Sequence, residues 1–342
     1  MKLIDTFDRY RKRAVHEWST WQHERETSRK RNVVRKWISK LESDPPDVLI
    51  GSNFAEFGGV RGHIESIQKF SSLTVSLAPP TKSVLAQGVT PWDLKTRFRE
   101  MFFDLKPHGI SAVHSHVFPW FIEWCREKQV HGTRWIHTYH NMYFPEFARG
   151  ELEPWQHEIN HALLNVASSA DVRISVSRWQ QRYLKDHHGI ETTYVPNGAD
   201  VEACISANGD RFTLAFGHRD FILYVGRNDT VKNPADFVRL AQQMPTYSFV
   251  MIGHDLSDET LQRDWQTSVP NNLRVIGPLS HGETLDAIAA SSVLVVTSLR
   301  EGLPTLVMES MATSTPVVVP NDEGCVEVID GGNCGFIYRQ GD

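Results

Sequence analysis

At 342 residues the chain has room for two domains, and 40% hydrophobic with 23% charged residues is the make-up of an ordinary soluble globular protein. A formal net charge of -5 argues against general nucleic-acid binding. No run of 18 apolar residues is available for a membrane span, and the N-terminus has no apolar signal core. The four widely spaced cysteines (Cys125, Cys204, Cys325, Cys334) form no C-x-x-C pair, which predicts reduced thiols in a cytoplasmic protein.

Residues 1–44 carry twelve Lys or Arg against seven Asp or Glu. Phe7, Tyr10, Ala14, Trp18 and Trp21 recur at helical spacing, as do Val34, Trp37, Ile38 and Leu41, and predict two helices. Their apolar stripes either dock on the body of the protein or form a basic, Trp-bearing face for anionic lipid, a peripheral membrane contact. Pro45-Pro46 ends this extension. A strand follows at Asp47–Ser52, then a loop ending in Gly58-Gly59 and a helix from about Val60. Glycines between strand and helix suit close approach to a phosphate, although most such pairs are only turns.

Further strands are expected at Leu73–Leu77, Ala112–His116, Arg134–Tyr139 and Val172–Val176. Helices are expected at Trp120–Lys128, Pro154–Ser168 and Arg178–His187. This alternation predicts a parallel sheet covered on both faces, with ligands beyond the carboxyl ends of its strands. His114, His116, His137 and His140 cluster at those ends. His137 and His140 are three apart, but on a strand end and without a nearby carboxylate or Cys, so no metal site is expected. Pro196-Asn197-Gly198 reads as a turn closing the first domain, and Cys204–Gly217 as a linker. The division is 1–44, a basic helical extension; 45–205, a first domain; and 206–342, a second.

Phe221–Val225 opens the second domain as a buried strand. Arg227 and Lys232 share the loop after it, and Asn233-Pro234 can start the next helix. An Arg fork with a Lys point charge suits a diphosphate, although a bare pair of this kind also occurs as solvated loop charges. Strands follow at Tyr247–Gly253 and Leu273–Gly277. Ser280 and Glu283 make a capping box for a helix from His281.

The second domain is organised around Val293–Pro320: strand Val293–Val296, loop Glu301-Gly302-Leu303-Pro304, helix Thr305–Ala312 and strand Pro316–Val319. Pro304 fits the first turn of that helix. The N–H groups at Thr305 and Leu306 would present a partial positive charge to an anion. Glu301 and Glu309 flank that start. They read either as acceptors for sugar and ribose hydroxyls or as ordinary loop and helix-surface acids.

E-G-L-P-x4-E-S-M-A-x3-P-V-V-V resembles the signature of the family 4 retaining glycosyltransferases of GT-B architecture. The G-R-x4-K-N stretch, Thr138-Tyr139-His140, Ile174–Ser177 and Tyr194–Asp200 resemble the same family. The resemblance covers about residues 47–340 and is tighter in the second domain. It implies an α/β fold of two Rossmann-like domains facing across a cleft. It also implies a hexosyltransferase acting in carbohydrate biosynthesis, with a nucleotide sugar such as a UDP- or GDP-sugar as co-substrate. On this resemblance His140, Arg227, Lys232 and Glu301 are the catalytic candidates. Gly58, Gly59, Gly302, Leu303, Pro304, Thr305, Leu306 and Glu309 would bind the donor, with Arg61, Gly253 and Ile276 as weaker candidates. No D-x-D triplet occurs, so no metal is expected on the diphosphate.

The acceptor would be a glycan, a lipid-linked species or a small molecule. A sugar-nucleotide epimerase, a phosphorylase and a non-catalytic scaffold share the architecture and stay as alternatives. The chain departs from the family in its N-terminal extension, in Ser314 and Glu323 where glycines are usual, and in ending at Asp342. That early end suggests either a truncated sequence or N-terminal helices covering the surface that family members cover with C-terminal ones.

Overall fold

Short apolar runs too brief for helices, most of them followed by a helix among the described residues, build two parallel sheets. The structure is a computed structural model describing residues 32, 35–51, 58–78, 109–148 and 150–341. The first predicted extension helix, Val34 and the 53–57 part of the first glycine loop lie outside the described residues.

The first sheet has the order β2-β1-β3-β4-β5-β6. Its strands are β1 Val48–Gly51, β2 Val75–Ala78, β3 Ala112–Ser115, β4 Arg134–Tyr139, β5 Val172–Ser175 and β6 Thr193–Tyr194. The second has the order β12-β11-β10-β7-β8-β9. Its strands are β7 Ile222–Val225, β8 Phe249–Ile252, β9 Leu273–Ile276, β10 Val293–Val295, β11 Val317–Pro320 and β12 Phe336–Tyr338. Every pairing is parallel. The two-residue β6 and three-residue β12 are too short to carry a periodic signal, and neither was expected.

Alternation along the second sheet separates its core into two layers. Leu223, Val250 and Leu294 point to one side, and Tyr224, Phe249, Met251 and Val295 to the other. The first domain packs around Trp124, Trp135, Phe121 and Tyr139. Residues 35–43 are helical, and Ile38, Leu41 and Trp37 join that core, so the second extension stripe docks on the body of the protein.

Cys204–Gly217 is not a linker. It forms helices Val201–Ile205 and Gly209–Phe216, and Cys204 and Phe212 are buried in the second-domain core. Gly209 lies against the backbone of Ala289 and Ala290, where a Cβ would sit 2.8 Å from atoms of both. A linker reading rested on the Asn208-Gly209-Asp210 turn signal. Here Asn208 caps the helix instead, its side chain accepting from Asp210 N.

Strand order fixes where ligands can bind. In the second sheet the chain runs β7, β8, β9 to one side and returns to β10 on the other side of β7. The crevice of such a sheet opens where the order reverses, beyond the carboxyl ends of β7 and β10. In the first sheet the reversal lies between β1 and β3.

Candidate active site

The loops after β7 and β10 carry Arg227, Lys232 and Glu301, and the reversal point brings them together. Lys232 Nζ meets Glu301 Oε1 at 2.5 Å, and Ser298 Oγ donates to the same oxygen at 2.6 Å. The Glu301 side chain is 7% exposed and that of Lys232 27%. The two loops are laced by backbone: Leu299 N–H donates to Val231 O, and Thr297 Oγ1 donates to the carbonyls of Lys232 and Asn233. Buried Tyr224 lies beneath, its hydroxyl donating toward the carbonyls of Arg227 and Lys232 at 3.3 and 3.4 Å. Arg227 pairs with Asp229 at 2.8 Å and keeps its head in solvent. Asn233 stands at the helix N-cap with φ 47°, but its amide donates to Asp236 rather than capping the backbone.

Asp322 holds the Glu301 loop in place. Its Oδ2 accepts from the N–H groups of Glu301, Gly324 and Cys325 at 3.1 to 3.3 Å. Arg300 lies 3.2 Å from its Oδ1. Burial outweighs these partners and pushes the Asp322 carboxyl up to about 6. Sequence reading missed Asp322, since an Asp before a short helix looks like any N-cap.

Pro304 is the N-cap of helix Thr305–Ala312 rather than part of its first turn. Val307 N–H is the first to bond back, to Pro304 O at 3.2 Å, so the N–H groups of Thr305 and Leu306 precede the intrahelical ladder. A Cβ on Gly59 would sit 4.0 Å from Thr305 Oγ1. The start of helix Gly59–Phe70 in the first domain therefore faces the start of Thr305–Ala312 in the second. Gly58, at φ 127° and ψ 162°, holds a backbone that L side chains rarely adopt.

First-domain donors clamp the Gly302–Leu303 turn. Trp179 Nε1 donates to Gly302 O at 2.8 Å, and Asn197 Nδ2 donates to Leu303 O at 2.9 Å. A Cβ on Gly302 would lie 2.9 Å from Asn141 Oδ1, so this glycine is used for close approach across the cleft. Arg300 sits over the rings of Trp179, Phe147 and Phe144. Glu323 is exposed and faces Arg182 and Arg300 at 3.5 Å, so the extra acid is met by cations. Ser314 takes the left-handed backbone directly, at φ 63°.

Glu309 lies apart from the Lys232–Glu301 couple. Its carboxylate is 2.8 Å from His281 Nε2, and this partner raises the His281 pKa above the ordinary value against the cost of burial. Arg61 pairs with Glu65 one turn along its helix. Gly253, at φ 157°, is where the β7 and β8 exits touch, since a Cβ there would overlap the Gly226 carbonyl. The Ile276 carbonyl accepts from Gly253 N–H at 3.3 Å. Both weaker candidates thus have a packing role.

His140 belongs to a histidine group on the first-domain wall. β3 and β4 are neighbours in register, which puts their exits side by side. His116 Nδ1 and His140 Nε2 are 3.0 Å apart, and the His63 ring stands edge-on to both. One nitrogen from each of the three lies within 4.8 Å of the others. His137 stands outside this group, its Nδ1 paired with Ser115 Oγ at 2.8 Å, and the neighbours of His140 come from distant stretches of the chain.

The two halves of the chain match two family models. Residues 75–203 match Glycosyltransferase Family 4, and residues 208–342 match Glycosyl transferases group 1. The chain belongs to the family 4 GT-B glycosyltransferases. A sucrose-phosphate synthase from Thermosynechococcus elongatus has the same fold at 19% identity and a TM-score of 0.66, over 86% of both chains. Anabaena HepE, solved with UDP and glucose, shares it at 17% identity and a TM-score of 0.66, over 87% of this chain and 86% of that one. Among curated sequences, the Escherichia coli UDP-Gal:alpha-D-GlcNAc-diphosphoundecaprenol alpha-1,3-galactosyltransferase is 28% identical over 42% of this chain. Alignments with three curated relatives span 38, 59 and 57% of their lengths. Among the described residues no helix is long and apolar enough to cross a membrane.

Proposed function

We propose that this glycosyltransferase moves a hexose from a nucleoside diphosphate to an acceptor hydroxyl with retention, and that protein groups alone meet the diphosphate charge. The observation that carries the reading is the Lys232–Glu301 couple, set at the reversal point of the second sheet beside the start of helix Thr305–Ala312. In the bound state Lys232, Arg227 and the Thr305 and Leu306 N–H groups would hold the diphosphate. Glu301 would accept from donor-sugar hydroxyls, Glu309 from the ribose after exchanging its His281 bond, and His140 would face the sugar from the first-domain wall.

The acceptor oxygen attacks the anomeric carbon as its bond to the phosphate oxygen breaks, and that oxygen takes the acceptor's proton. Charge builds on the leaving diphosphate, where fixed cations lower the barrier, each worth ~3 kcal/mol. No protein nucleophile is invoked. Glu301 is already held by an ammonium and a hydroxyl, which fits a hydroxyl-binding role better than attack on carbon. Relatives whose names or structures include UDP-linked sugars make UDP-hexoses the first donors to test, ahead of GDP-sugars. The acceptor lies within the glycan, lipid-linked or small-molecule classes.

A thermal-shift panel of nucleoside diphosphates and their sugars tests the reading. One family should stabilise the protein by ~2.7 kcal/mol at a hundred times its Kd. A flat response to every diphosphate would remove it.

A further inference from the structure

We propose that His63, His116 and His140 form a binding site for a zinc-class transition-metal ion on the first-domain wall of the cleft. The three rings come from three elements: the helix Gly59–Phe70, the exit of β3 and the exit of β4. Their ligating nitrogens lie within 4.8 Å of one another, and the His116 Nδ1 to His140 Nε2 separation is 3.0 Å. Nitrogens around a tetrahedral zinc at 2.0–2.1 Å stand about 3.3 Å apart. An ion would spread the bonded pair slightly and draw the third nitrogen inward.

An independent observation supports a missing ligand. Nε2 of His63 is buried and, among the described residues, has no hydrogen-bond partner. Such an atom costs roughly 1–3 kcal/mol unless something meets it. His114 lies against His116 with ring centroids 4.4 Å apart, but its Nε2 is bonded to Thr138 Oγ1 at 2.8 Å and it stands outside the three-histidine group.

An all-imidazole donor set selects zinc, copper, nickel or cobalt over magnesium or calcium. Three protein ligands leave a further position for water or a substrate hydroxyl, as in catalytic rather than structural zinc sites. His63 also lines an open groove of about 390 Å³ together with Ile67, Phe70, His114, Ile174 and Val195. With the ion on Nε2, His140 keeps Nδ1 for a sugar.

The test uses the full chain, stripped of metal, and cobalt alone, so its outcome does not depend on sugar transfer. Visible cobalt bands should rise to one equivalent with the intensity of four-coordinate nitrogen ligation, and zinc should displace them. His63→Ala should weaken binding by at least about tenfold, the loss typical even of residues that only support a metal ligand. His131→Ala, on an exposed loop, should not change it. His63 sits on a helix face, so its variant should keep the wild-type circular dichroism; His63→Gln serves if it does not. Octahedral, weak cobalt spectra, or equal affinity in the folded His63 variant, would overturn the site.

Discussion

Replacing Lys232 with Ala separates a catalytic cation from a structural one. Glu301 is 7% exposed and is held by Lys232 Nζ at 2.5 Å and Ser298 Oγ at 2.6 Å. Stranding a fully buried partner costs ~3–5 kcal/mol. Lys232 is 27% exposed and the Ser298 hydroxyl stays, so a loss of about 2 kcal/mol is expected, a fall in Tm of roughly 5 °C for a unit of this size. Removing Glu301's charge as well should return about half of that, so Lys232→Ala/Glu301→Gln should melt above Lys232→Ala. Transfer should not return. Loss of a cation at the leaving group removes about 10²–10³ in kcat, and the double variant still lacks it. The assay pairs thermal melts with nucleotide-release kinetics on the three variants. Recovery of rate together with stability in the double variant would show that Lys232 acts only through the fold, and would refute the leaving-group role.

Other outcomes follow from the same geometry. Glu309→Gln should lower the His281 pKa toward the ordinary 6.5, read by NMR titration, since Glu309 is the first cause of its rise. The raised pKa contributes stability that is full below 6.5 and lost as pH rises through the folded value, so the wild-type advantage over this variant should shrink at alkaline pH. Trp179→Phe removes the donor to the Gly302 carbonyl; it should cost ~1 kcal/mol in melts and weaken nucleotide-sugar binding by calorimetry. Gly253→Ala should lower Tm through the clash with the Gly226 carbonyl, with the loss visible before any ligand is added.

The second domain was readable because its site is local in sequence. Glu301 to Glu309 lie on one loop and one helix, and Arg227 and Lys232 share another loop, so spacing alone places them at strand exits. Helix starts at Thr305 and His281 matched because proline and the Ser280–Glu283 box punctuate them. The first-domain wall was not readable in this way. His63, His116 and His140 are joined by strand register and helix packing, and nothing in the spacing of 63, 116 and 140 signals a cluster. Cross-domain clamps were hidden for the same reason: the Trp179 bond to Gly302 and the Asn197 bond to Leu303 each span more than a hundred residues. In the sequence Asn197 reads only as part of a turn. Gly253 and Ile276 are candidates only by their position in the domain, and the close approach of Gly253 to Gly226 is equally invisible in the spacing.

A crystal structure with UDP at saturating concentration addresses the central claim most directly. The account predicts the diphosphate within hydrogen-bond distance of Lys232 Nζ, the Arg227 guanidinium and the N–H groups of Thr305 and Leu306, with Glu309 turned from His281 to the ribose. A diphosphate bound out of reach of Lys232 and Thr305, or a cleft left empty at saturation, would contradict it.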